Sequence, residues 1–239
     1  SEINYWKRAF AKHKLEQSPE NGFGETPLKK YRRHIFLLHP NTVVIYDELE
    51  AEKAVRWDWL LHSPTQFNID EATSTLVTEN DRKRFKSIAR IFSEQACSIS
   101  QTDRYAVEPD QTRAERGEDF TKPWSLTASF GPTKANRILT VIQIEADGMQ
   151  AVEITRTGNH LECGDWTIEA ELNPKRPASL SIRNRKNQAA FSFGKKETTI
   201  NGRSYQCRKA DASVIYDAMD GTWKTEEMSD RKIQSMGRW

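Results

Sequence analysis

The stretch Tyr31–Pro64, YRRHIFLLHPNTVVIYDELEAEKAVRWDWLLHSP, leaves a chain of this kind little choice of fold. Pro40-Asn41 and the mostly charged Glu50–Lys53 divide it into three apolar runs, Tyr31–His39, Thr42–Glu50 and Ala54–His62. Valine, isoleucine, phenylalanine, tyrosine and tryptophan crowd these runs, and their short length suits strands better than helices. Proline presets φ and asparagine tolerates turn conformations, so Pro40-Asn41 reads as a turn. The expectation is a three-strand antiparallel meander with its second turn at Ala51–Lys53.

A register follows to within one residue. If His39 faces Thr42 and Thr42 faces His62, both histidines lie at one end of the sheet and on one face. One strand then separates them, which puts their Cα atoms about 10 Å apart. Two imidazoles can share a ligand or a metal across that gap. Asp47 would face Trp57, about 16 Å further along by strand rise, and so would not partner His62. His34 and His39 differ by an odd step and point to opposite faces, so one of them is inward. A slip of one residue would part the pair.

The rest of the chain repeats the strand theme. A short strand pair is expected within Thr65–Asn80, then strands at Ser87–Phe92, Cys97–Gln101, Trp124–Phe130 and Arg137–Ala146, the last two joined through Gly131-Pro132. Eight short strands follow between Val152 and Tyr216, most of them separated by turn signals such as Thr157-Gly158-Asn159 and Asn201-Gly202. This spacing indicates an all-β fold, an antiparallel β-sandwich with many short strands and little helix. The one helical candidate beyond ten residues is Thr225–Met236. The expected division is an N-terminal segment and loop at 1–27, continuing from a missing upstream module, a sandwich at 28–222 with two sub-layers dividing near residue 146, and a tail at 223–239.

Two stretches invite a functional reading beside a plain one. The run Asp81-Arg-Lys-Arg-Phe-Lys86 is either edge-strand charge that discourages aggregation or a contact for carboxylates and sulfates. Asp103–Pro123 lacks apolar periodicity and carries Tyr105, Arg104, Arg113 and Arg116, as a solvated loop or a sugar-facing one. With 36 basic and 34 acidic side chains, the net charge of +2 gives no global pull toward nucleic acid. No apolar run approaches the ~18 residues of a membrane-crossing helix. Cys97, Cys163 and Cys207 are an odd number without zinc-type spacing, which allows one disulfide plus one free thiol or three buried free thiols, the latter being the expectation. Glycine-rich phosphate loops, HExxH and GxSxG are absent.

The segments YRRHIFLLHP, NTVVIYDELEA and WDWLLHSP, followed by Ser98-Ile-Ser-Gln-Thr-Asp103 and Pro123-Trp124-Ser-Leu-Thr-Ala128, resemble the C-terminal β-sandwich region of the heparinase II/III-like polysaccharide lyases. The motif-level likeness covers about residues 28–146. It implies a module of an enzyme that cleaves uronate-containing polysaccharide by β-elimination, in a cleft between an N-terminal α/α toroid and the sandwich. Most catalytic groups of such enzymes lie in the toroid, which these residues do not resemble. No catalytic residue is therefore expected in this chain, which alone should be inactive.

The resemblance further implies a structural zinc held by histidine and aspartate, with His39 and His62 as the carried-over metal ligands. The third ligand stays open among Asp47, Asp58 and His13. Implied partners are acidic polysaccharide and the toroid of the same parent, in a periplasmic or secreted setting. The competing reading is a stand-alone carbohydrate-binding or structural β-module. Exposed aromatics on one sheet face would favour that reading, and an apolar docking flank would favour the lyase module.

Overall fold

The computed structural model describes residues 8, 11–12, 27–80, 84–104, 115–117, 123–146, 148–200, 202–209, 212–217 and 221–226. Within them the fold is an all-β antiparallel sandwich of sixteen strands. The first sheet contains β1 (Leu28–Leu38), β2 (Thr42–Ser63), β3 (Asn68–Asp70), β4 (Thr75–Asn80), β5 (Phe85–Phe92), β6 (Cys97–Thr102) and β7 (Trp124–Glu145). Its order is β1-β2-β7-β5-β4-β3, with β6 on the remaining length of β7.

The second sheet contains β8 (Ile154–Thr157), β9 (His160–Cys163), β10 (Trp166–Ala170), β11 (Leu180–Asn184) and β12 (Ala190–Phe193). A separate hairpin of β13 (Glu197–Ile200) and β14 (Arg203–Gln206) interrupts it before β15 (Ser213–Asp217) and β16 (Thr222–Glu226) complete it. The order is β16-β15-β12-β11-β10-β9-β8, largely a meander, as the closely spaced turn signals require.

The expected three-strand meander is corrected. Pro40-Asn41 does lie in a hairpin, with Leu38 opposite Thr42, but Glu50–Lys53 is no turn. Thr42–Ser63 is one strand of 22 residues, and Trp124–Glu145, expected as two strands, is another of 22. They pair along their length, from Thr42 with Gln143 to Ser63 with Trp124.

Both sequence breaks are bulges, and they face each other. Register shifts fall between Glu50 and Val55 and between Val55 and Trp57, with Val55 opposite Thr133. A bulge carries extra residues on one strand and bends it, which leaves Glu52 and Lys53 exposed on the outside of the bend. Gly131, at φ 92, supplies the bend on β7. A Cβ there would lie 2.7 Å from the Thr133 nitrogen and 3.1 Å from the Val55 oxygen, so only glycine fits.

The bend creates two cores. Before it on β2, Val44 and Tyr46 join Leu139 and Val141 of β7 against Leu161, Ile168, Leu180, Ile182 and Phe193 of the second sheet. Beyond it, Trp57 and Trp59 with Leu126 and Phe130 pack against Leu76, Ala89, Ile91 and Ile138. The first sheet therefore folds over itself at the bulges while its other face packs on the second sheet, a corner made by strands that pass between layers.

Hydrogen bonds tie the two sheets together. Tyr46 Oη donates to the Glu171 carbonyl (2.8 Å), Arg137 Nη1 to the Asn173 carbonyl (2.9 Å) and Arg90 Nη1 to the Ile154 carbonyl (3.0 Å). β16 straddles the boundary drawn at residue 222, and Thr225 and Glu226 are strand residues opposite Val214 and Ser213 rather than the start of a helix. The remainder of the Thr225–Met236 candidate, and most of the N-terminal segment, lie outside the described residues.

Candidate functional site

The fused strand decides the fate of the histidine pair. His39 is exposed in the β1–β2 turn, where its carbonyl accepts a hydrogen bond from Trp166 Nε1 (3.2 Å). His62 is exposed near the far end of β2, opposite Ser125. From Thr42, just after His39, to His62 the strand contour is on the order of 65 Å at about 3.3 Å per residue. The structure therefore does not bring them together, and the register that paired them is corrected.

The candidate third ligands are engaged elsewhere. Asp47 is bidentate to Arg33, at 2.6 and 2.9 Å. Asp58 accepts from Arg56 (2.9 Å) and Ser129 (2.7 Å). His13 lies outside the described residues. Among the described residues, no three histidine, cysteine, aspartate or glutamate side chains gather as a metal site. His39 and His62 do not fit a shared zinc.

The inward histidine is His34, 6% exposed on β1. Its alternation with Phe36 and Leu38 toward the core is the signal that marks it. Its ring lies 4.4 Å from that of Phe193 and about 6 Å from those of Tyr46 (6.1 Å) and Phe191 (6.2 Å). Nε2 has no hydrogen-bond partner. Burial, with a smaller contribution from Arg32, pushes its pKa down to about 4, so it is neutral at physiological pH.

Neither described tyrosine on this sheet is poised as a base. Burial pushes the hydroxyls of Tyr46 and Tyr31 up from their ordinary range, whereas proton abstraction near neutrality calls for a lowered value. Tyr105 and Arg113 of the long loop lie outside the described residues. Within the basic run, Arg84 and Lys86 border a cleft of about 390 Å³, but Lys86 lies between Glu79 (3.6 Å) and Glu145 (3.7 Å), which offset its charge. None of the three cysteines forms a disulfide; Cys163 is buried, whereas Cys97 and Cys207 are only half-buried.

The feature that stands out is an uncovered corner of the first sheet. On β1, odd-numbered residues face away from the second sheet, and Tyr31, Ile35 and Leu37 are 51%, 64% and 65% exposed. Cross-strand pairing sets the half-buried Val43 and Ile45 of β2 beside Leu37 and Ile35, whereas Thr140, next across from Ile45 on β7, is fully buried. Ile144 of β7, 39% exposed, continues the aliphatic end.

The next row is the Arg33–Asp47 pair, and beyond it Tyr31 lies under the Arg33 guanidinium, 5.6 Å from its ring centroid. Burial pushes the Asp47 carboxyl up by more than its pairing with Arg33 pulls it down, and the same pairing holds Arg33 firmly charged. The folded-over layer covers the β4, β5 and β7 part of this face and leaves the β1–β2 corner open. Contiguous exposed apolar surface of this kind marks an interaction site.

No family model matches the chain, and no curated protein does. Among solved structures it is similar to a heparinase III, the BT4657 gene product with methylated lysines, at 12% sequence identity and a TM-score of 0.42. The superposition covers 77% of this chain and 24% of that one, so the chain spans about a quarter of that protein's length.

Proposed function

We propose that this chain is the β-sandwich module of a heparinase II/III-like polysaccharide lyase, supporting the cleft for acidic, uronate-containing polysaccharide while an α/α toroid of the same parent carries the catalytic groups. The observation that carries this reading is the aliphatic corner of β1, β2 and β7. A module that grips a sugar chain by stacking presents exposed aromatic faces. Among the described residues the exposed large apolar side chains are Ile35, Leu37, Leu60, Ile144, Val152 and Ile215, with Tyr31 the one aromatic, and the Arg33 guanidinium lies over its ring.

An aliphatic flank is what a second protein module buries, and a toroid tethered upstream of Leu28 would meet β1 first. The ordered motifs of residues 28–146 support the same parent, and with it a periplasmic or secreted setting.

The test uses the purified chain and the toroid of its parent expressed separately. The chain alone should leave the ultraviolet absorbance of uronate polymers unchanged, because no unsaturated product forms. It should bind the toroid in trans, and Leu37→Asp should weaken that binding at least tenfold. Product formation by the chain alone, or absence of any association, would overturn the proposal.

A further inference from the structure

We infer that the seam cleft between the β5–β6 connection and β8 is a subsite for a single uronate unit, read by Arg156. This inference rests on the reading of the chain as a lyase module. The cleft measures about 430 Å³, roomy enough for one sugar ring with its substituents, and is walled by the turn before β4, the β5–β6 connection and the edge strand β8 of the opposite sheet. Arg156 reaches into it from β8. Its guanidinium carbon lies 5.3 Å from the centroid of the Phe92 ring, and its Nε donates to the Gly158 carbonyl at 2.8 Å.

The ring beneath and the carbonyl beside hold the guanidinium in one orientation. Among the described residues no carboxylate lies within ion-pair distance of it. The remaining N–H groups form the planar fork that matches a carboxylate bidentately, and a guanidinium already fixed loses little freedom on binding.

The hydroxyls of the same cleft define what surrounds that carboxylate. Ser93 donates its proton to Asn136 Oδ1 (2.9 Å) and accepts from the Gln95 backbone nitrogen (3.2 Å). Thr73 directs its proton to the Asp70 carboxylate (2.6 Å), with the Thr75 hydroxyl 2.8 Å away. Neither hydroxyl has a proton left for a ligand, and the Glu94 carboxylate in the same lining is an acceptor too. A ligand that satisfies this wall brings hydroxyl donors around one anionic group, which describes a uronic acid unit. A lipid or an apolar ligand leaves these acceptors unpaired, at a cost. Cys97, a half-buried free thiol 3.9 Å from Ser74 Oγ, stands in the same wall and reports occupancy.

The experiment titrates the 239-residue chain calorimetrically with hyaluronan and polygalacturonate tetrasaccharides and with their carboxyl-reduced forms. At least one uronate tetrasaccharide should bind, its reduced form at least tenfold more weakly. Arg156→Ala should lose tenfold or more, and Arg156→Lys, a point charge without a fork, should fall between. In a Cys207→Ser background, alkylation of Cys97 should slow at least fivefold under saturating tetrasaccharide. Arg156 is exposed, so its variants keep the fold, and circular dichroism checks this. Equal binding of the reduced forms, binding that ignores Arg156 and leaves Cys97 labelling unchanged, or no binding at all overturns the subsite. The lyase-module reading falls separately, by loss of toroid association, so a chain that docks the toroid yet fails here refutes the subsite alone.

Discussion

Replacing His34 by leucine should abolish one acid-sensitive component of stability. In the folded chain the imidazole is packed against Phe193 and Tyr46, and its pKa is pushed down to about 4 from an ordinary 6.5. Above pH 6.5 it is neutral in both states and contributes no pH dependence. As pH falls from 6.5 toward 4, the unfolded chain takes up the proton and the folded chain does not, so stability falls with pH across that window and levels off below it. The two values differ by about 2.5, which at about 1.4 kcal/mol each gives roughly 3 kcal/mol lost over the window. That is a large share of the 5–15 kcal/mol typical of a folded domain.

Leucine has nearly the volume of histidine and no proton to bind, so any packing penalty it brings is constant with pH. The assay is urea denaturation of wild type and His34→Leu at half-unit steps from pH 7.5 to 4. The stability of the variant relative to wild type should rise by about 3 kcal/mol as pH falls, every carboxylate being common to both. Parallel curves, with a difference that stays flat within about 0.5 kcal/mol, would refute the burial argument.

Two further changes probe the scaffold. Gly131→Ala should cost about 2–3 kcal/mol, because it adds a Cβ against backbone atoms at a positive φ; thermal melting within a degree of wild type would show that the bend does not need glycine. Arg33→Ala should cost about 3 kcal/mol at neutral pH by stranding the buried Asp47 carboxylate, whereas Arg33→Met combined with Asp47→Leu should cost much less. The single-variant deficit should shrink as acid protonates Asp47, whose pKa burial already raises. Equal losses in the single and double variants would deny that the lone charge is the cause.

The short strands were legible because most are bounded by residues with a local conformational reason to turn. Thr157-Gly158-Asn159 and Pro40-Asn41 both fall between paired strands. Glu50–Lys53 and Gly131-Pro132 carry the same local chemistry and mean something else. A charged or glycine-containing break can reverse a chain or merely bend it, and only the partner strand decides. Here each break is the other's partner, information held by residues about 80 positions apart. The histidine pair failed for that reason alone, since its premise was a hairpin at Ala51–Lys53. His34 was within reach, because simple alternation from Leu38 sends it inward. The open corner was not: Ile35 and Leu37 read locally as core, and only the finite span of the folded-over layer exposes them.

The continuity of β2 and β7 across both cores has a mechanical corollary. Two layers joined by loops can part by hinging, but these share two continuous strands whose ladder resumes on both sides of the bulged corner. Shear applied to one layer is borne by the same backbone that frames the other, and peeling either exposes apolar surface in both. The unit should therefore yield as one body, with the amides of β2 and β7 the last to open to solvent. A partner gripping β1 at its open corner would be anchored, one strand away, to the stiffest element of the molecule.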